Sequence, residues 1–237
     1  MSIISIHLLH TLKKPLFFYF TVLFSLFFVA TACEKDTSVD ITTYFYPKNN
    51  QTSSYIYRAL GDSLPPYTLE VQSKGNTWQF KRLDFAQKTE YILTDSIVEG
   101  GIICTRYLLF SPDAVGNIAT IQPVINRGAN TVFPFAPKIN GGVFPFDMQW
   151  KSAENPAETI RLTRNRHFNG LTDYNWLGKT VHCAEFTVKT QYRSDLQNEG
   201  TIAPESLGIE RYAEGIGLVY ASTTLGGNTI EYILEPK

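Results

Sequence analysis

Two stretches rich in β-branched and aromatic residues, Thr89 to Val98 and Ile102 to Phe110, meet across Glu99-Gly100-Gly101. That arrangement predicts a hairpin, because the glycines supply the positive φ of a tight turn. Tyr107-Leu108-Leu109-Phe110 is apolar enough for a helix, but Gly100-Gly101 and Ser111-Pro112 bound it too closely for one. The same grammar runs through most of the chain. Tyr55-Ile56-Tyr57, Tyr67 to Val71 and Trp78-Gln79-Phe80 are short β-rich runs separated by Gly61-Asp62, Pro65-Pro66 and Ser73 to Asn76.

Thr180 to Tyr192 reads as one long strand, with His182, Ala184, Phe186 and Val188 on one face and Cys183, Glu185 and Thr187 on the other. Ser194 to Pro204 is a polar loop with room for a helical turn. Glu210 to Tyr220 reads as strand, with Gly215 and Gly217 relieving a bend. Thr229 to Leu234 then returns as its partner across Leu225 to Asn228. Asn117 to Asn140, with Pro123, Gly128, Pro134 and Pro137, is irregular apart from a strand at Ile118 to Ile121. The expected fold is all-β and mainly antiparallel, a curved sheet or half-barrel with little helix.

The N-terminal stretch sets an address rather than a fold. Lys13-Lys14 precede an apolar run from Leu16 to Ala30, and Ala30-Thr31-Ala32 stand just before Cys33. This is the layout of a secretory signal over residues 1–32, although the run is near the lower length limit for a retained membrane helix. The small residues before Cys33 resemble a bacterial lipobox, with Ala30 where a large aliphatic residue is usual. The resemblance implies cleavage before Cys33 and acylation of that residue, and several acyl chains anchor far better than one. Glu34-Lys35-Asp36 resembles the start of exported Bacteroidota lipoproteins, which implies an outer-membrane location on either face. Residues 33–41 are then a polar lipidated tether, and 42–237 a single β-rich envelope domain.

Removing Lys13 and Lys14 from the 21 basic residues leaves 19 against 22 acidic ones, a net charge of −3. No basic stripe suggests nucleic acid. Tyr212-Ala213-Glu214-Gly215-Ile216-Gly217-Leu218-Val219 ahead of a final hairpin, with a proline-rich segment leading into Trp150, resembles secreted bacterial domains of unknown function. Those domains are similar to curved sheets of the periplasmic lipoprotein-carrier type. The resemblance implies a fold and no chemistry.

Catalytic patterns are absent from the sequence. Gly215-x-Gly217 has Tyr220 where a dinucleotide loop needs its third glycine. No Gly-x-Ser-x-Gly or His-Glu-x-x-His occurs. His167 and His182 match no zinc spacing, and no metal or cofactor is expected. Asp173 and His167 are candidate neighbours in a site assembled from distant residues, but no nucleophile accompanies them. The expectation is a protein that is not an enzyme.

With Cys33 acylated, Cys104 and Cys183 remain. Either they form a disulfide, closing a loop of about 80 residues worth roughly 4 kcal/mol, or they are two buried thiols. Arg161, Arg164 and Arg166 beside His167 either contact an anion or form the solvated face of a strand. Two roles follow for a non-catalytic envelope lipoprotein. In one, the concave face binds an apolar or amphiphilic ligand. In the other, the sheet is an accessory surface for an outer-membrane protein partner.

Overall fold

The computed structural model describes residues 37–62, 64–196 and 200–236. The signal at 1–32, Cys33 and the start of the tether lie outside the described residues. Short alternating segments with turn residues between them fold as fourteen strands, with only two 3-10 turns among the described residues. The strands are β1 (Thr52–Ala59), β2 (Tyr67–Lys74), β3 (Thr77–Leu83), β4 (Thr89–Val98), β5 (Gly101–Pro112), β6 (Ile118–Ile121) and β7 (Val124–Pro134). They continue as β8 (Phe144–Lys151), β9 (Glu158–Trp176), β10 (Lys179–Leu196), β11 (Gly200–Ile202), β12 (Glu205–Ala213), β13 (Gly217–Leu225) and β14 (Asn228–Leu234).

Every described strand pairing is antiparallel, and the pairings close on themselves. The path β10-β12-β13-β14-β1-β2-β3-β4-β5-β7-β8-β9 returns to β10, so the sheet is a twelve-stranded barrel with β11 and β6 added at its wall. The expected curved sheet or half-barrel is therefore a closed barrel. Closure rests on distant partners, such as Tyr57 with Leu234 and Ile102 with Phe133, which local patterning does not encode. It removes the free sheet edges that would otherwise template aggregation.

The expected hairpin is present, with Val98 opposite Gly101 in β4–β5. Three local expectations are corrected. Val124–Pro134, within the stretch expected to be irregular, is strand β7. Glu214 to Ile216 form a turn between β12 and β13, so the glycines there reverse the chain instead of bending one strand. Ser194 to Leu196 pair with Gly200 to Ile202 as a ladder, where a loop with a helical turn was expected.

Eight strands make a barrel that their own side chains just fill, so twelve leave an interior needing more. The N-terminal segment supplies part of it. Val39 and Ile41 donate backbone hydrogen bonds to Pro137 and Phe135, and Thr43 accepts one from Gly215. Ile41, Tyr44, Phe45 and Tyr46 are buried by this docking. Their partners lie in the connections after β7 and between β12 and β13, so the segment plugs one end of the barrel. The chain is thus part of the fold from Ser38, ahead of the expected domain start at 42.

Phe45 is the centre of the plug. Its ring lies 5.1 Å from Phe133, 5.3 Å from Tyr46 and Trp78, and 5.8 Å from Phe80. Phe186 links Phe133, Phe168 and Tyr212 to the same cluster. Gly217 is required beside it: its φ is +102°, and a Cβ there would stand 2.6 Å from the Tyr46 ring. The compact unit Ser38–Lys237 contains its own core and all the strand pairings, which is what independent folding requires.

Candidate functional site

Strand alternation decides which arginine goes where. Arg164 and Arg166 of β9 are two residues apart and face the lumen, whereas Arg161 has the other parity and faces out. Arg161 grips Asp147 through Nε and Nη2, both at 2.7 Å, and Thr163 and Asn126 also donate to that carboxylate. The solvated-face reading thus fits Arg161 but not Arg166, whose side chain is only 6% exposed.

Within the lumen the two arginines meet Glu210 of β12. Arg166 Nε donates to Oε2 at 2.8 Å, Arg164 Nη2 donates to Oε1, and the Tyr212 hydroxyl donates to Oε2 at 3.2 Å. Burial pushes the Glu210 carboxyl up, but Arg164 and Arg166 outweigh it and hold the pKa at about 2. The carboxylate is charged and fully engaged.

Asp95 of β4 is the opposite case. It is fully buried, and its carboxyl oxygens make no hydrogen bond of ordinary geometry, the Cys104 thiol being the polar side chain beside them. Burial raises its pKa well above the ordinary value, against the pull of Arg166 and the Cys104 thiol, and so favours the protonated form.

These groups form a polar belt in the wall of a chamber of about 270 Å³. Phe45, Tyr46, Phe80 and Tyr212 make its plugged floor. Arg82, Asp95, Arg164, Arg166 and Glu210 are the belt, and Tyr67, Tyr91, Thr223 and Tyr232 stand toward the other end. Arg82 lies 3.9 Å over the Tyr67 ring and pairs with Glu90. Exposure is graded along β9, from 35% at the Arg164 side chain to 6% at Arg166, and Thr223 is exposed. Since these residues face inward, the chamber is reached by solvent from the end opposite the plug.

A side pocket of about 90 Å³ shares Tyr91, Leu93, Val132, Arg164 and Arg166 with the chamber and ends on Tyr107. Tyr107 also borders a wider gap of about 660 Å³ in the wall between β5 and β7. That gap exists because these strands pair only from Gly101 to Ile103. Beyond it, Asn130 Nδ2 donates to the Cys104 carbonyl at 3.1 Å in place of a ladder bond.

The other sequence candidates separate. Asp173 lies opposite His182 and contacts its Nδ1, while His167 is opposite Thr187, so the Asp173–His167 pair does not form. Cys183 is adjacent to His182, but its thiol is buried in the main cluster while His182 is exposed. Among the described residues no group of three or more His, Cys, Asp or Glu side chains could hold a metal ion.

Cys104 and Cys183 are free thiols, not a disulfide. Cys104 packs with Phe146, Met148 and Leu162, and Cys183 lies in the separate main cluster. Burial and then Asp95 raise the Cys104 pKa, and burial pushes Cys183 up to about 11. Neither is therefore a useful thiolate at neutral pH. Iodoacetamide at pH 8 is expected to leave both unmodified in the folded unit and to label both in denaturant, read by intact mass. Fast labelling of either in the native protein would contradict this burial.

Sequence reasoning passed over Glu210, Asp95 and the plug. Their available signals were an acid at an inward position two residues before Tyr212, an acid two residues after Leu93, and the run Tyr44-Phe45-Tyr46.

No protein-family model and no curated protein matches the chain. Solved structures do. A presumed lipoprotein from Parabacteroides distasonis is 14% identical, with a TM-score of 0.50 over 83% of this chain and 99% of its own. A presumed exported protein with a YmcC-like fold from Bacteroides fragilis is 15% identical, with a TM-score of 0.46 over 81% of this chain and 98% of its own. The hypothetical lipoprotein YmcC from Escherichia coli is 14% identical, with a TM-score of 0.36 over 92% of this chain and 95% of its own. The Parabacteroides likeness is one of fold.

Proposed function

We propose that the chain is a non-catalytic cell-envelope lipoprotein, held at the outer membrane through acylated Cys33, whose barrel binds an apolar or amphiphilic ligand. One observation carries the binding role. The twelve-stranded lumen is filled by the plug at one end only, leaving a solvent-reached chamber of about 270 Å³ with aromatic floor and rim. A concave, largely apolar site with a few converging polar groups is the usual form of a small-molecule pocket. A barrel serving only as scaffold would be packed through its length.

Native mass spectrometry of residues 38–237, exported and purified without detergent, tests the reading. A discrete added mass released by organic solvent is the expected result. A clean unliganded mass would sink the idea of a resident ligand. The role would then pass to an accessory surface for an outer-membrane protein, for which exposed Val124 at the β5–β7 gap and exposed Val115 and Ile118 at the β5–β6 hairpin are the candidates.

A further inference from the structure

Building on the reading of the chamber as a ligand site, we propose that its occupant is a single-chain amphiphile with an anionic head group. The head is held by Arg164 beside Asp95, and the tail lies among the apolar and tyrosine side chains of the chamber.

Three observations converge on the head group. Arg164 uses Nη2 on Glu210, yet its buried Nε has no hydrogen-bond partner, and the guanidinium borders both the chamber and the side pocket. Asp95 lines the same chamber, and its two buried carboxyl oxygens have only the Cys104 thiol as a polar side-chain neighbour besides the Arg166 charge. A buried polar group without a full set of partners is costly, so Arg164 and Asp95, with the Arg82 Nε on the same wall, favour a ligand that pairs with them. An anionic head accepts from Arg164, and also from the Asp95 carboxyl in its protonated form, which burial favours.

The charges agree. Glu210 is shared between Arg164 and Arg166, so its single charge leaves the pair one positive charge in excess, while Arg82 is already met by Glu90. An incoming anion balances that excess, whereas a cation would add to it. The remaining lining includes Leu69, Leu93, Val132, Tyr67, Tyr91 and Tyr232, which suits an alkyl chain. The chamber volume of about 270 Å³ lies just below the roughly 300–1,000 Å³ usual for ligand sites, which selects one tail over a two-tailed lipid.

Isothermal titration of the 38–237 unit with decanoate, decanol, decyltrimethylammonium and acetate separates this proposal from the reading beneath it. Decanoate is expected to bind at least about tenfold more tightly than decanol, the effect of one charge-assisted hydrogen bond. Decyltrimethylammonium and acetate should bind far more weakly than decanoate. Arg164→Gln should remove the difference between decanoate and decanol while leaving decanol binding in place, and Ala221→Phe, which fills the chamber, should remove both. Equal affinity for decanoate and decanol would overturn the anionic head and leave the ligand chamber standing. So would acetate binding as tightly as decanoate, which would mark a small-anion site. Binding of none of the four would overturn both. The comparison of decanoate with decanol needs no variant, so a folding defect in Arg164→Gln does not shelter the proposal.

Discussion

Glu210→Ala is expected to cost about 3–5 kcal/mol of folding stability, the penalty of leaving a buried charge without its partner. The residue abandoned is Arg166, whose side chain is 6% exposed and whose Nε hydrogen bond runs to Glu210 Oε2 at 2.8 Å. The Tyr212 hydroxyl loses its acceptor in the same step. Arg164→Gln should cost far less, because Arg164 keeps partial contact with solvent and Glu210 would still hold Arg166 and Tyr212. Urea unfolding of the two variants beside the wild type measures the contrast. Equal losses would mean that Arg166 finds another anion when Glu210 is gone.

The same belt gives the acid dependence. The Glu210 pKa is depressed from 4.5 to about 2. A carboxyl with a depressed folded pKa contributes stability that is complete above its unfolded value and is lost as pH falls through the folded one. That loss is expected between about pH 4.5 and about pH 2. Asp95 carries the opposite sign: its pKa is raised from 3.8, so acidification favours the folded state there. Unfolding measured in an Asp95→Asn background isolates the Glu210 limb, which Glu210→Gln should then flatten.

How much of this was legible in sequence follows from the range of each interaction. The β4–β5 hairpin, the long β10 and the β13–β14 hairpin are local, so alternation and turn glycines revealed them. The strand β7 was hidden by Pro123, Gly128 and Pro134. Pro123 precedes it, Gly128 falls where the β8 pairing is interrupted, and Pro134 ends it, so no proline breaks its interior. Barrel closure was not legible, because it joins the last strand, β14, to the first, β1, through partners that period and composition leave undetermined.

The candidate site was half visible. Arg164 and Arg166 were identified together with Arg161, although a separation of two residues already sets the first two on one face and Arg161 on the other. Their partner Glu210 lies 44 residues from Arg166 and comes beside it only because β10 pairs with both β9 and β12. Asp95 looked like an ordinary polar residue in a hairpin arm. Only its burial shows that its pKa is raised.

Phe45→Ala should likewise cost about 3–5 kcal/mol, the range for removing a buried aromatic ring where the surroundings cannot collapse. Phe45 is 4% exposed and touches rings from β3, β7 and β12 as well as Tyr46. Those rings stand on hydrogen-bonded barrel walls, so they have little freedom to move into the void. Tyr46 is also pinned: the Tyr57 hydroxyl donates to the Leu218 carbonyl at 2.8 Å, so Tyr46 donates its own proton to Tyr57 at 3.0 Å. The lost volume should therefore persist as space joined to the chamber floor, which Phe45 lines. Thermal unfolding reads the stability, and decanoate titration reads the chamber, where a longer tail such as dodecanoate should gain affinity relative to the wild type. Phe45→Leu should recover most of the stability, because it restores apolar contact without the full ring. If Phe45→Ala unfolded at the wild-type temperature, the N-terminal segment would be a dispensable cover and the barrel would close its floor without it.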